Sequence, residues 1–480
     1  MYIASHEWQR PASPPRAGHL NPPPGALCEP LYRRLAAGTP DAATRAEAAQ
    51  FLRREIALAG TAPCTLPESP ENLVGWMEAN AQTVHAKYAL YLEGRRAGGP
   101  RHFFRNRAHA LHVLRAISPT KVVDGAWLYG LIRHANNPRF APLVQTYVEE
   151  LGEGAIDKNH VVLYRGLLAR YGLDPVDGLP DTHYRQGLIQ LALGWNAEEF
   201  LPEVIGFNLG YEQLPLHLLI TAYELNELGI DPYYFQLHVT VDNGSTGHAR
   251  RACDAVLEAL PRLDDGGVFW QRVRVGARLA DAGLGTVDII DSFEPEQEVL
   301  RILAAKSSAG AGAHSDYCRV AGRSVNDWLS SPENVAGFLR ELEAQGWIRR
   351  NEPASCSRFW KLLQGERAEM FGVFSAYELQ VIHDWIRGEA SADGAPFTEE
   401  PPSAGRRRAT FRALQRNAHA VAAPDLGSLL DPDLDLFKAQ LARAEAGPRE
   451  QLLVDAMSPA QHWTPVGLYA TGEFWKSRTQ

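Results

Sequence analysis

Cysteine is scarce and scattered in this sequence. The five cysteines, Cys28, Cys64, Cys253, Cys318 and Cys356, form no Cys-x-x-Cys pair. Their spacing excludes a zinc ribbon and indicates a reducing compartment. The sequence also lacks an apolar run long enough for a membrane span, and prolines interrupt the region where a secretory signal would lie. We therefore expect a cytoplasmic protein with no membrane partner.

The sequence has no excess of positive charge. Its 480 residues include 48 Lys and Arg against 57 Asp and Glu, so the formal net charge is −9. Nucleic-acid-binding proteins need a basic surface, and we therefore expect no nucleic-acid partner. Because 45% of the residues are hydrophobic, a chain of this length can bury a large core.

Strand-like alternation is also rare, and helical periodicity dominates. Apolar residues recur three and four positions apart in segments such as NHVVLYRGLLARYGL and GYEQLPLHLLITAYELNELG, and Gly or Pro ends each such segment. The best strand candidate, QLHVTV, has β-branched residues that equally suit a buried helix. The pattern predicts an all-α fold.

Two stretches rich in proline and glycine suggest how the chain is divided. The first covers about 30 residues at the start, and the second is SADGAPFTEEPPSAGRRRATFR. We predict an N-terminal arm and leading helices over residues 1–74 and a central helical domain over 75–290. A mostly helical accessory domain over 291–390 and a linker with a C-terminal segment over 391–480 follow.

Histidines and carboxylates occur together on elements with a buried pattern. In VEELGEGAIDKNHVVLYRGLLARYGL, Glu150 ends one helical stretch and His160 begins the next after a Gly-containing break. If this break bends the helix, both side chains point to one interior place. Glu149 and Glu153 are rival carboxylates in this segment. Glu212 lies among apolar residues in GFNLGYEQLPLHLLITAYELNELG, where a buried carboxylate is costly unless it is paired or binds a metal.

A third segment, PYYFQLHVTVDNGSTGHARRACDAV, adds three candidates. His238 and Asp242 are four residues apart and share one face of a helix, and His248 follows the DNGSTG interruption. Charged helix ends, packed histidines and an Asp-Asn-Gly turn would explain each segment alone. Together, three carboxylates and three imidazoles form a suitable ligand set for two irons. A ferritin-like site is not expected, because the sequence has no Glu-x-x-His motif.

The segments EELGEGAIDKNHVVLYRGLLARYGL, GYEQ and YYFQLHVTVDNGSTGH resemble the haem-oxygenase-like diiron oxidases and oxygenases, also called iron-containing redox enzymes. The resemblance covers about residues 75 to 290. It implies a seven-helix bundle that holds two non-haem irons. The implied ligands, grouped by the three core helices that supply them, are Glu150 and His160, then Glu212, then His238, Asp242 and His248. In the family the last Asp and His are often three residues apart, whereas here six residues separate Asp242 from His248. His248 is therefore the least secure ligand.

The resemblance also implies a function. Its members activate O2 at a pair of Fe(II)/Fe(III) ions, so we expect an O2-dependent diiron oxidoreductase. The expected reaction is N-oxygenation, or oxidative C–C or C–N cleavage, of an amine or amino-acid-like small molecule. An external electron donor and a homodimer are further expectations. Tyr211, Arg185 and Arg165 are candidates for the substrate chamber because they lie near the proposed ligands in the sequence.

Two other interpretations stay open at this stage. The chain could be a metal-free helical oxidase or hydrolase of the same scaffold, or a non-enzymatic interaction protein. Iron content after anaerobic reconstitution separates the first alternative from a diiron enzyme. A basic stripe on the C-terminal part would be needed for a nucleic-acid-binding role, and the acidic net charge of the chain opposes it.

Overall fold

The structure is a computed structural model that describes residues 27–173, 177–241, 247–263, 266–364, 369–393 and 430–479. Most of the predicted N-terminal arm, the predicted linker after residue 393 and the predicted ligand Asp242 lie outside the described residues. Twenty-two α-helices and one two-stranded hairpin occur in the described part of the chain. The prediction of an all-α fold is confirmed.

The first fourteen helices cover the N-terminal and central parts of the chain. They are α1 (Cys28–Ala36), α2 (Ala42–Gly60), α3 (Leu73–Arg96), α4 (Arg107–Ala116), α5 (Ser118–Lys121), α6 (Ala141–Glu150), α7 (His160–Arg170), α8 (Arg185–Trp195), α9 (Leu201–Tyr211), α10 (Leu216–Glu227), α11 (Tyr233–Val241), α12 (His248–Ala259), α13 (Gly267–Leu279) and α14 (Thr286–Asp291). QLHVTV lies entirely within α11, so the strand interpretation of this segment is wrong.

The remaining helices belong to the C-terminal part. They are α15 (Pro295–Gly310), α16 (Val325–Leu329), α17 (Val335–Ala344), α18 (Arg358–Gln364), α19 (Ala376–Arg387), α20 (Pro432–Arg443), α21 (Ala446–Ala456) and α22 (Pro465–Thr479). Strands β1 (Arg319–Val320) and β2 (Arg323–Ser324) pair antiparallel. Short 3-10 helices occur between these elements, including Ala126–His134 and Gly152–Gly154.

Helix α9 lies at the centre of the packing. Val204, Ile205, Phe207 and Leu209 are all fully buried in it. Burying each such side chain stabilises the fold by roughly 1.5–3 kcal/mol relative to leaving it exposed. Helix α12 packs against both α6 and α9, and α11 packs against α7 and α10. The elements that carry the predicted ligands are therefore all held in one packed core.

Helices α9 and α13 approach each other closely because glycine lies at their contact. A Cβ atom on Gly206 would lie 1.9 Å from the carbonyl oxygen of Val273, and one on Gly276 would lie 2.3 Å from the carbonyl oxygen of Glu203. These distances are far below van der Waals contact, so any larger side chain would push the two backbones apart. The separation of α9 and α13 therefore depends on glycine at both positions.

The accessory region packs directly on the central one. The Asp384 carboxylate of α19 accepts a hydrogen bond from the backbone N–H of Ala108, in the first turn of α4, at 2.9 Å. The Tyr377 hydroxyl donates to Glu298 at 2.8 Å and lies 3.1 Å from Nδ1 of His112. The division at residue 290 stays a prediction, and buried polar contacts cross it. Within the described residues, every helix is too short or too polar to cross a membrane.

We expect Gly206→Ala to destabilise the fold by about 1–3 kcal/mol or more, because the added methyl group overlaps the α13 backbone. Gly166→Ala is the matched control: it lies on an exposed turn of α7, where an added Cβ meets no atom within 4 Å. This control should stabilise the chain by roughly 0.5–1 kcal/mol. Equal midpoints of urea unfolding for the two variants would contradict the close approach.

Candidate metal centre

The structure brings five of the six predicted ligands to one buried place. Glu150 is the last residue of α6, His160 the first of α7 and His248 the first of α12, while Glu212 directly follows α9 and His238 lies within α11. All five are buried, with 1% to 7% of their surface exposed. Asp242, the sixth, lies outside the described residues.

Four side chains form the first cluster, and one of them was not predicted. Asp124, Glu150, His160 and His238 each offer a donor atom within 4.8 Å of the others. Nδ1 of His160 lies 2.6 Å from Oε2 of Glu150, and Nε2 of His238 lies 3.3 Å from Oδ2 of Asp124. The two imidazole rings have their centroids 4.3 Å apart.

The second cluster lies on the other side of Glu150. Glu150, Glu212 and His248 place their donor atoms within 4.8 Å of one another. Nδ1 of His248 lies 3.2 Å from Oε1 of Glu150 and 3.1 Å from Oε2 of Glu212. Glu150 therefore presents Oε2 to the first cluster and Oε1 to the second. A carboxylate in this position can bridge two metal ions.

The chain reversal between Glu150 and His160 creates this geometry. Gly152 has a φ of 67°, and a Cβ there would lie 2.4 Å from the backbone nitrogen of Asn159. The Asn159 side chain then caps α7 by accepting a hydrogen bond from the N–H of Val162 at 3.0 Å. As the Gly-containing break predicted, the last residue of one helix and the first of the next meet at one point.

Asp124 is the site residue that the sequence reasoning missed. It lies in KVVDGAW, between α5 and the 3-10 helix Ala126–His134, and is 2% exposed. Its Oδ2 accepts a hydrogen bond from the Tyr234 hydroxyl at 2.7 Å and lies 3.8 Å from the ammonium of Lys121. A signal was present, since the apolar surroundings that singled out Glu212 apply equally to Asp124. Asp124 has no histidine beside it in KVVDGAW, so the pairing of histidine with carboxylate that marked the other segments is absent there.

The pKa values of Glu150 and Asp124 both favour the ionised carboxylate. Burial alone would raise the pKa of Glu150, but His160 and His248 hold that pKa well below its usual value. Burial opposes ionisation of Asp124 in the same way, and Lys121 and His238 lower its pKa. Negative charge is therefore retained in a buried site, which favours the binding of cations.

Each of two histidines has one ring nitrogen fixed by a partner outside the clusters. Nδ1 of His238 lies 2.8 Å from the backbone carbonyl of Tyr234, which leaves Nε2 facing Asp124. Nε2 of His248 lies 3.0 Å from Oε2 of Glu149, and Arg251 donates to the same oxygen at 2.7 Å. Metal-binding histidines commonly donate their second N–H to a carbonyl or carboxylate in this way.

The two rival carboxylates have different surroundings. Glu149 contacts His248 from outside the second cluster, and its pKa is lowered to about 2: burial opposes the shift, while hydrogen bonds from His248 and Arg251 outweigh it. Glu153 is partly exposed and pairs with Lys158 at 3.3 Å. Neither belongs to the clusters found among the described residues, whereas Glu150 belongs to both.

The donor atoms fit a pair of hard metal ions. Oδ1 of Asp124 is buried without a hydrogen-bond partner in the described part of the chain, and Nδ1 of His160 lies against the buried Glu150 carboxylate. Unpaired buried donors and acceptors are rare in folded proteins, and a bound ion is one way of satisfying them. Carboxylates with neutral imidazoles are ligands that iron accepts. The residues therefore fit two metal ions that share Glu150.

The three chamber candidates have different positions. Lys121 donates to the Tyr211 hydroxyl at 3.2 Å, so Tyr211 lies beside the first cluster. Arg185 instead forms a buried pair with Glu55 at 2.7 Å. The guanidinium of Arg165 stacks 4.1 Å from the ring centroid of Trp463. Of the three, Tyr211 is the one connected to Asp124, through Lys121.

We expect Glu149→Ala to weaken metal binding at the second cluster by about 10- to 100-fold, because His248 loses the partner that orients its ring. Glu153→Ala is the matched control, since it removes a carboxylate from the same turn that contacts only Lys158 among the described residues. Anaerobic titration with ferrous iron measures the difference. Equal affinities for the Glu149→Ala variant and the wild type would disprove the orienting role of Glu149.

Comparison with known proteins finds a family that part of the chain resembles. Residues 111–281 match a family model described as iron-containing redox enzyme. No curated protein and no solved structure matched the chain at the significance required. The matched region contains Asp124 and all five of the predicted ligands that the structure describes. The predicted resemblance and the haem-oxygenase-like fold are thus confirmed, and residues 111–281 of this chain are similar to the family of iron-containing redox enzymes.

Proposed function

We propose that this protein is a non-haem diiron oxidoreductase that uses O2 to oxidise a small nitrogen-containing metabolite. The observation that carries the proposal is the pair of buried clusters that share Glu150. A single metal ion would need only one of them. The family match supports the use of iron and a redox reaction.

The residues divide naturally between two ions. Asp124, His160 and His238 would hold one, Glu212 and His248 would hold the other, and Glu150 would contact both. Two ferrous ions would supply the reducing equivalents for activation of O2. In this proposal an external electron donor restores the ferrous state between turnovers, and the substrate is an amine or an amino-acid-like molecule that undergoes N-oxygenation or oxidative C–C or C–N cleavage.

Neighbouring side chains prepare the ligands for this role. The Lys121 ammonium, 3.8 Å from Oδ2 of Asp124, favours the ionised carboxylate that a metal requires. Burial alone would lower the pKa of Lys121, but Asp124 and Tyr211 raise it, so this lysine stays protonated. The apolar core around α9 excludes water from the same place. Such a site keeps reactive oxygen chemistry away from solvent.

Reconstitution with ferrous iron under anaerobic conditions tests the proposal. The wild type should bind about two irons per chain. Asp124→Ala and Glu212→Ala should each retain about one, and Glu150→Ala should lose both, because among the described residues Glu150 alone belongs to both clusters. Glu203→Gln is the matched control, a buried carboxylate on α9 that pairs with Arg272 at 2.7 Å and belongs to neither cluster.

The outcomes of this experiment separate the competing interpretations. O2 consumption that begins only after iron loading, with a change in the optical spectrum, would support the diiron reaction. A folded wild-type chain that takes up no iron would overturn the proposal and favour a metal-free protein of the same scaffold. Uptake of a single iron that all three alanine variants abolish would overturn the two-ion arrangement.

Iron uptake should also weaken as pH falls. Burial alone would lower the pKa of His160, but the Glu150 carboxylate outweighs it and raises this pKa above its ordinary value of 6.5. Iron must displace the proton on His160, so each pH unit below that pKa should lower the affinity by up to about tenfold. Ferrous titrations between about pH 8 and 5.5 measure the slope. An affinity that is independent of pH over this range would contradict the involvement of His160.

A further inference from the structure

The C-terminal helices pack on the turn that joins Glu150 to His160, although they lie far beyond the matched region 111–281. Helix α22 lies against the 3-10 helix Gly152–Gly154 so closely that a Cβ on Gly154 would come within 2.6 Å of the backbone nitrogen of Gly472. On the same side, the Tyr147 hydroxyl of α6 donates a hydrogen bond to the carbonyl of Met457. The turn of the metal centre is therefore covered by a segment that follows it by some 300 residues.

One buried side-chain amide connects the two parts. Asn159 is completely buried, and its Nδ2 lies 3.2 Å from the carbonyl oxygen of Leu151 and 3.3 Å from that of His462. Leu151 is the residue directly after Glu150, and Asn159 directly precedes His160. The Asn159 amide thus connects the backbone beside both ligands to the C-terminal segment.

The His462 ring faces the same amide. Its Nδ1 lies 3.4 Å from Nδ2 of Asn159, and the residue is 1% exposed. Burial lowers the pKa of His462 to about 3, so the imidazole is neutral and its Nδ1 can accept the hydrogen bond. The next residue, Trp463, stacks against the guanidinium of Arg165 on α7 at 4.1 Å. His462 is therefore held against the first turns of α7 from two directions.

We propose that His462 and Asn159 are positioning residues of the metal centre, through which the C-terminal segment 446–479 fixes Glu150 relative to His160. This inference rests on the proposed function and assigns a role to His462, which lies outside the matched family region 111–281. The pair acts through hydrogen bonds to the backbone beside the ligands and contacts no metal itself. Loss of such outer partners typically costs about 10- to 100-fold in metal affinity.

Three variants separate the contributions of this pair. His462→Ala removes the ring, while His462→Asn keeps a hydrogen-bond acceptor near the position of Nδ1. Asn159→Ser keeps an oxygen that can cap α7 but removes the amide that reaches Leu151 and His462. We expect His462→Ala and Asn159→Ser to weaken binding at the cluster that contains His160 by about 10- to 100-fold, and His462→Asn to restore most of the affinity.

The experiment is an anaerobic titration of the full-length apoprotein with Co²⁺. The visible absorption of the bound ion is measured, and the affinity of each binding step is obtained from it. Asp455→Asn is the matched control, because the Asp455 carboxylate docks the same C-terminal segment on Arg133 at 3.4 Å. The control should change the melting temperature little and leave both binding steps unchanged, since its ion pair is exposed and does not involve Asn159.

The outcomes of this titration test the positioning role of His462 and Asn159 separately from the proposed diiron function. Two normal binding steps in both His462→Ala and Asn159→Ser would overturn the positioning role and leave the diiron proposal intact. If Asp455→Asn weakened metal binding equally, the attachment of the C-terminal segment alone would explain the effect. That result would also overturn the positioning role of His462 and Asn159. A His462→Asn variant as weak as His462→Ala would exclude the Nδ1 contact. A wild-type chain that binds no metal ion would overturn the diiron proposal itself.

Discussion

The concentration of negative charge around Glu150 is the constraint on which the rest of the site depends. Three buried carboxylates, Asp124, Glu150 and Glu212, lie within two overlapping clusters. Carboxylates in a protein interior repel one another strongly and are stable there only with cations nearby. Imidazoles and Lys121 compensate part of this charge, and bound metal ions would compensate the remainder. The apolar packing of helices such as α9 offsets the free-energy cost of burying these charges.

Much of the fold and part of the site could be predicted from local sequence signals. Helix boundaries followed the Gly and Pro breaks, and the break before His160 correctly indicated that Glu150 and His160 point to one place. Glu212 could be singled out because a carboxylate in an apolar helix needs a partner. These inferences succeeded because helix breaks and the burial of a single helix face are determined by residues within about ten positions of one another.

The features that escaped prediction depend on contacts between distant segments. Asp124 meets Tyr234 and His238 of α11, more than 100 residues later, so its apolar surroundings indicated burial but no local pattern paired it with these partners. Glu149 could not be distinguished from Glu150 until the structure showed which of them lies between the clusters. The contact of His462 with Asn159 joins residues 303 positions apart, so local sequence patterns could not predict it either.

The position of His462 has a consequence for how the protein is made. Its codon is read more than 200 residues after that of His248, the last candidate ligand that the structure describes. At about 5–20 residues per second, the ribosome needs roughly 10 to 40 seconds to cover that distance. During this interval the nascent chain already carries the candidate ligands but lacks the segment that covers their turn. In the proposed diiron enzyme, the ligands would therefore be held in their final positions only after translation has passed His462.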